Sequence, residues 1–371
     1  MKKIKILHVL GTLDFGGAET LVMNIFRNVD LNKFEFSFVV HTNEECDYFE
    51  EIKSLGGKIY TVPRYNGINH TQYKLAFNKL LKKCNPDIVH AHMRSTASIY
   101  LKLAKNQNIK TIIHSHNMSS GTGIKKIVRS LLQKRIYKFT DYFLACSLDA
   151  GIWLFGDNIV KQKNFSLLKN AINVENFLFD NEKRNTMRKK FGIKDEIVLG
   201  NVGRLTEQKN QIFLLDILKE LKKENTNIKM FIIGSGEKKI DLRKKIIENN
   251  LQEDVLLLPA TANINDYYQV MDCFLFPSIF EGLGIVAVEA QASGLITLVS
   301  EKVPDEVIVS DRVKKIGIKK DQQKIWINEI KKITSNYDRV TGVSKSIIDS
   351  GYSIKEMVKK IEDIYIELLK G

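Results

Sequence analysis

Cysteine is scarce: Cys46, Cys84, Cys146 and Cys273 are the only four in 371 residues, and no two form a C-x-x-C pair. Three of them sit beside apolar, strand-like residues, the pattern of reduced, buried thiols in a cytoplasmic protein rather than of a disulfide framework. No apolar run approaches the roughly 18 residues needed to span a bilayer, so any membrane contact is expected to be peripheral. The opening Met1–Leu7 carries the charge of a signal peptide, but its apolar run is cut by His8 and ends in a glycine-rich loop without a small-x-small cleavage site. It reads as a first strand. Short-period repeats and low-complexity tracts are missing, which excludes solenoids. No G-x-G-x-x-G with a downstream ribose-binding acid follows the first strand, which argues against a Rossmann oxidoreductase.

Charge is present in excess of one sign. Lys and Arg number 57 against 43 Asp and Glu, a formal charge of +14, which predicts attraction to something anionic: nucleic acid, phospholipid headgroups or a phosphorylated substrate. Basic–aromatic interleaving and reading motifs are absent, so no nucleic-acid partner is expected. Lysine-rich composition alone accounts for the charge equally well.

Length and a 44% hydrophobic content predict two domains with a large core. Strand-like runs alternate with helical patterns to about residue 300, the signature of an α/β chain with parallel sheets. The candidates are Ile4–Leu10, Glu35–Val40, Lys58–Val62, Asp87–Ala91, Thr111–His114 and Tyr142–Ala145, then Ile197–Val202, Ile228–Gly234, Val255–Leu258, Cys273–Phe276 and Thr297–Val299. The stretch from Leu168 to Arg184 is the expected linker. Domains are therefore expected at 1–175 and 176–353. The amphipathic helix Ile354–Leu369 closes the chain, with Met357, Val358, Ile361, Ile364, Tyr365 and Leu368 at helical spacing; within 354–371 it is expected to cross back to the first domain.

Three segments can carry chemistry. The first strand runs through Gly11 into Gly16-Gly17 and a helix, where glycines let backbone N–H groups approach a phosphate or sugar, although a tight turn would look the same. In the second half a strand ends in Gly203-Arg204, and Lys209 follows as the next helix opens; two cations there suit a diphosphate. Further on, Glu281-Gly282-Leu283-Gly284 leads into a helix carrying Glu289 about two turns inside. Carboxylates beside a phosphate site are acceptors for sugar and ribose hydroxyls.

In combination the Glu281–Glu289 E-x7-E segment, Gly203-Arg204 with Lys209, Gly16-Gly17 and the turn Ile233-Gly234-Ser235-Gly236-Glu237 resemble glycosyltransferase family 4, enzymes of the GT-B fold that transfer sugars with retention. The Gly-Gly-Ala-Glu loop and His114-Ser115-His116-Asn117 are most similar to bacterial capsular and exopolysaccharide transferases. The resemblance covers nearly the whole chain. It implies two Rossmann-like domains facing across a cleft, an acceptor-binding first domain and a donor-binding second, and transfer of a hexose or N-acetylhexosamine, from a UDP-sugar by preference, to a glycan acceptor on a polyprenyl diphosphate.

By that resemblance Arg204 and Lys209 bind the donor diphosphate, Glu289 takes the ribose hydroxyls, and Glu281 with the N–H groups of Gly282, Leu283 and Gly284 holds the donor sugar. Gly203 and Gly234 belong to the donor site, and Gly16 and Gly17 approach donor phosphate and acceptor. His116 matches the active-site histidine, with His114 and His92 as rivals. Ala171, Asn173 and Ile296 depart from the family pattern without touching a proposed contact. Charge stabilisation by Arg204, Lys209 and a helix N-terminus requires no metal or other cofactor, and neither a D-x-D nor a His/Cys ligand cluster is legible at the site.

The segment 124–138 reads as a basic amphipathic helix, either a packing helix or a dock on an anionic membrane, so the expected location is cytoplasmic, with peripheral contact at the inner face of the plasma membrane. Two rival functions remain: a sugar-nucleotide epimerase on the same scaffold, which would convert donor without acceptor, and a non-catalytic sugar-binding partner, which would not keep the cations and glutamates.

Overall fold

The computed structural model describes residues 2–116, 133, 135–224, 226–335, 339 and 344–370. The chain divides into two units, Met1–Ala171 with Ile354–Gly371, and Ile172–Ser353.

Unit 1 is built on seven strands, β1 (Ile4–Val9), β2 (Phe34–Val40), β3 (Lys58–Thr61), β4 (Ile88–Ala91), β5 (Lys110–Ser115), β6 (Tyr142–Ala145) and β7 (Phe165–Leu167). All pair in parallel in the order β3-β2-β1-β4-β5-β6-β7. Its helices are α1 (Gly17–Asn28), α2 (Phe49–Ser54), α3 (His70–Cys84), α4 (Ala97–Lys105) and α5 (Leu148–Phe155). A parallel sheet must be covered on both faces because its crossovers put helices there. Two apolar clusters do this: one holds Leu7, Val9, Tyr73, Phe77, Tyr100 and Leu101, the other Ile6, Leu10, Phe26, Phe36, Phe38 and Ile361.

Unit 2 carries six parallel strands, β8 (Ile197–Val202), β9 (Ile228–Ile233), β10 (Val255–Leu258), β11 (Cys273–Phe276), β12 (Ile296–Ser300) and β13 (Val313–Ile316), in the order β10-β9-β8-β11-β12-β13. Around them run α6 (Val174–Phe177), α7 (Asn181–Lys190), α8 (Gln211–Lys222), α9 (Lys239–Glu248), α10 (Ile264–Val270), α11 (Ile285–Ala292), α12 (Gln323–Ser335) and α13 (Ser344–Ile347). The closing helix α14 (Ile354–Lys370) returns to unit 1 as expected: Met357, Val358, Ile361, Ile364 and Tyr365 are buried in the cluster that also holds α1.

Two strands escape the sequence reading, and both are edges. β7 has only three residues, and β13 reads V-K-K-I, its lysines marking an edge that must not recruit another strand. The expected linker to Arg184 does hold the junction of the two units, at Ala171–Ile172, but it is not unstructured: it contains α6 and enters α7. Its polarity comes from the outer face of α7, whose inner face holds Arg184 and Arg188 against the buried Asp272 at 2.5 and 3.4 Å. Asp272 also accepts from the Val198 N–H at 2.7 Å, so α7 is tied to the start of β8.

The basic segment 124–138 lies outside the described residues apart from Gln133 and Arg135–Lys138; of these, Ile136–Lys138 belong to a short 3-10 turn with Ile136 buried. Among the described residues no helix is long and apolar enough to cross a membrane. All four cysteines are free; Cys46, Cys146 and Cys273 are buried, and Cys84 is half-buried.

Candidate active site

In each sheet the strand order reverses once, between β1 and β4 in unit 1 and between β8 and β11 in unit 2. Loops at the carboxyl ends of the strands beside such a reversal diverge and leave a crevice, the usual ligand position in open α/β sheets.

In unit 2 the predicted residues gather at that point. The loop after β8 carries Gly203, Arg204 and Lys209, and the loop after β11 carries Glu281, Gly282, Leu283 and Gly284. Backbone and side chains lace the two together: Ile279 N–H donates to the Gln208 carbonyl at 2.8 Å, Gln208 Nε2 to the Phe280 carbonyl at 2.9 Å, and Asn210 Nδ2 to the Pro277 carbonyl at 3.2 Å. Across this seam Lys209 Nζ meets Glu281 Oε1 at 2.6 Å, with side chains 16% and 7% exposed, and lies 4.8 Å from the centre of the Phe276 ring. Lys209 is therefore already charge-paired. Arg204 is exposed beside it.

The glycines here have specific duties. A Cβ on Gly234 would lie 1.9 Å from the Gly203 carbonyl oxygen, and one on Gly236 2.4 Å from that of Leu205. The close approach is locked by Leu205 N–H donating to the Ser235 carbonyl at 2.8 Å and Lys238 N–H to the Leu205 carbonyl at 2.9 Å. Gly234 thus shapes the Gly203–Arg204 loop from behind. Gly284 takes the left-handed conformation (φ 88°, ψ 51°) as the N-cap of α11, with no side-chain cap and no acidic residue in the first turn. The positive end of α11 is kept for a ligand or solvent.

Glu289 is the fifth residue of α11, little more than one turn inside rather than two. It is buried, and its Oε2 accepts from the Tyr268 hydroxyl at 2.9 Å. Burial pushes its carboxyl up to about 7, a rise only partly offset by that hydrogen bond. Tyr268, on α10, is a supporting residue that the sequence reading missed; nothing in its own segment signals the partner 21 residues on.

In unit 1, Gly16 is the extended N-cap of α1, and the carbonyl of Gly17, the first helical residue, accepts from Asn170 Nδ2 at 3.1 Å. His116 follows β5 and is half-buried. Its rivals prove to be neighbours: His116 Nε2 and His92 Nδ1 lie 2.9 Å apart, and His92 Nε2 lies 2.9 Å from His8 Nδ1. His90 reaches the Tyr365 hydroxyl of α14 at 2.7 Å through Nδ1, and the His114 ring centre is 4.1 Å from that of His116. The expectation of no His/Cys ligand cluster concerned the cations and helix N-terminus of unit 2; in unit 1, His116 stands in a histidine cluster that the sequence reading did not name. The H-x-H pairs at 90/92 and 114/116, with His8 opposite His90 in register, alternate onto one face of the sheet; that period was the available signal. Burial lowers all five, His8 and His116 to about 3, so the rings are neutral near pH 7.

Comparison with known proteins gives the family. A model described as Glycosyl transferases group 1 matches residues 183–350, and one described as Glycosyltransferase Family 4 matches residues 15–176. The glycosyltransferase EpsF of Bacillus subtilis (strain 168) is 32% identical over 309 residues, covering 82% of this chain and 80% of its own. An Escherichia coli UDP-Gal:alpha-D-GlcNAc-diphosphoundecaprenol alpha-1,3-galactosyltransferase is 25% identical over 389 residues, 99% of this chain and 98% of its own. Anabaena Alr3699/HepE, solved in complex with UDP and glucose, shares the fold at a TM-score of 0.78 and 15% identity over 97% of this chain and 98% of its own. Two parallel-sheet units of this topology, together with a sequence match of that extent, lead to one assignment: the chain belongs to glycosyltransferase family 4 and has the GT-B fold.

Proposed function

We propose that this glycosyltransferase moves a hexose or N-acetylhexosamine, with retention, from a UDP-sugar to a glycan acceptor carried on a polyprenyl diphosphate, in surface polysaccharide synthesis. The observation that carries the reading is the unit 2 crevice, where the loops after β8 and β11, laced by hydrogen bonds, bring Arg204, the Lys209–Glu281 pair and the uncapped start of α11 to the point where the strand order reverses. The likeness to HepE, titled as a complex with UDP and glucose, supports the donor class. The name of the Escherichia coli relative, which specifies a UDP-sugar and a diphosphoundecaprenol acceptor, supports both partners.

In this mechanism the bond between the anomeric carbon and the phosphate oxygen breaks with its electron pair going to the diphosphate. Arg204, Lys209, the backbone N–H groups of Gly282, Leu283 and Gly284 and the first N–H groups of α11 match the charge that develops there, so no metal takes part. The acceptor hydroxyl attacks the anomeric carbon from the face the phosphate leaves, and its proton passes to the departing phosphate oxygen. Glu281 holds the donor sugar, Glu289 the ribose hydroxyls, and His116 with Gly16 and Gly17 the acceptor side. Docking of the basic segment 124–138 on an anionic membrane would bring the enzyme to its acceptor.

The test is turnover of a UDP-sugar panel with a synthetic polyprenyl-diphosphate glycan, with the product anomer read by NMR. An α-linked product from an α-donor in the presence of EDTA is expected. Donor conversion without acceptor would instead establish an epimerase, and a strict requirement for added Mg2+ or Mn2+ would overturn the metal-free step.

A further inference from the structure

Transfer as proposed uses one histidine, yet five are stacked on the same face of unit 1. His8 on β1, His90 and His92 at the end of β4, and His114 and His116 at the end of β5 sit with successive ring centres 4.1 to 5.7 Å apart. A dry imidazole nitrogen without a partner is costly. Among the described residues nine buried side-chain polar atoms lack a hydrogen-bond partner, and five are here: His8 Nε2, His90 Nε2, both nitrogens of His114, and His116 Nδ1. The Leu168 backbone near His114 favours its charged form but makes no bond of normal geometry.

We infer that His92, His114 and His116 form a binding site for one divalent transition-metal ion of borderline softness, with Zn2+ as the type case. One nitrogen from each ring lies within 4.8 Å of the other two. A tetrahedral ion with Zn–N bonds of about 2.0–2.1 Å needs its ligand nitrogens about 3.3 Å apart. Opening the 2.9 Å contact between His92 Nδ1 and His116 Nε2 by a few tenths of an ångström and turning the His114 ring inward meets that requirement. Three nitrogen ligands with no carboxylate select Zn2+, Co2+, Ni2+ or copper over Mg2+ or Ca2+.

The contacts that would orient the ligating rings are already in place. With His92 ligating through Nδ1, its Nε2–H donates to His8 Nδ1, 2.9 Å away, the kind of contact that fixes the tautomer of a ligating imidazole. The Cys146 thiol donates to the His116 carbonyl at 3.3 Å and steadies that residue's backbone. His116 is half-buried and gives the ion a way in, while Arg94, whose charge reaches His116, opposes the ion and limits its affinity. A bound ion would occupy the nitrogen of His116 that faces His92 and keep a fourth position open.

The experiment uses the full chain stripped of metal, without substrate, so its outcome is independent of the transfer reaction. Zn2+ is titrated in competition with a chromophoric chelator, and Co2+ is followed by its visible absorption. One ion per chain, an intense four-coordinate Co2+ band and a higher melting temperature on loading are expected. His92→Gln and His114→Gln should each weaken binding by at least about 100-fold, the upper end of what losing a merely supporting contact costs, while the exposed His70→Ala should change nothing. Binding that survives both substitutions, or that disappears with His70→Ala, would overturn the site. X-ray absorption on the Co2+-loaded wild-type chain decides the matter even if the variants misfold: three imidazoles support the inference, and an oxygen-dominated six-coordinate shell refutes it.

Discussion

At the residue scale, the two cations of unit 2 separate into different physical situations. Arg204 is exposed, whereas Lys209 is bound to a nearly buried glutamate. Arg204→Ala is expected to lower kcat by about 10²–10³-fold, as losing one charge-stabilising donor does, with an unchanged melting temperature. Lys209→Ala should lose a similar factor and also about 3 kcal/mol of stability, because Glu281 is left buried and unpaired. Urea denaturation of both variants checks this, and equal stabilities would show that the pair holds nothing together. Glu289 gives the pH dependence. Its folded pKa, about 7, is raised above the ordinary 4.5, so the native state holds a proton that the unfolded chain has released. The stability that results is complete below about pH 4.5 and is lost as pH rises through 7, about 3 kcal/mol in all. Glu289→Gln cannot ionise and should flatten this slope, overtaking the wild type in stability at pH 8 while binding UDP more weakly. Denaturation at pH 5 and pH 8 with calorimetry of UDP reads both effects; parallel slopes would mean that Glu289 is not the group responsible.

At the scale of elements, the site is a junction of loops more than a set of side chains. The turn after β9 interlocks with the loop after β8 only because Gly234 and Gly236 present no Cβ. Gly234→Ala must push the Gly203 carbonyl away and displace Arg204, for an expected loss of about 3 kcal/mol and of donor affinity together. Native-like stability with weakened UDP binding would place the glycine at the ligand rather than behind the loop. Central strands were legible because strands buried on both faces read as apolar runs: β6, β8 and β11 match their expected bounds residue for residue. β7 and β13 were not, since an edge strand needs few apolar residues and tolerates lysine. The start of α7 within the linker was missed for a related reason, as a helix docked through two arginines on one aspartate has no apolar stripe to read.

At the scale of the whole molecule, the chain's end belongs to its beginning. Removing 354–371 uncovers the α1 face of the first sheet, and the Tyr365 hydroxyl that bonds His90 goes with it. The two tryptophans report separately, Trp153 in unit 1 and Trp326 in the core of unit 2. In the truncated chain the unfolding transition seen by Trp153 should disappear or move to much lower urea, while that seen by Trp326 persists. Simultaneous loss of both would mean that the units are not separately stable. By itself the sequence determined the alternation of strands and helices, the parallel sheets, the amphipathic closing helix and the motif set of the family, because each is written in contiguous residues as a period, a glycine or a charge. Only the tertiary structure decided that Lys209 is paired with Glu281, that Tyr268 holds Glu289, and that five histidines from three strands share one face. Those are contacts between residues 21 to 84 positions apart, and a partner across a sheet is chosen by strand order and register, which no local pattern encodes.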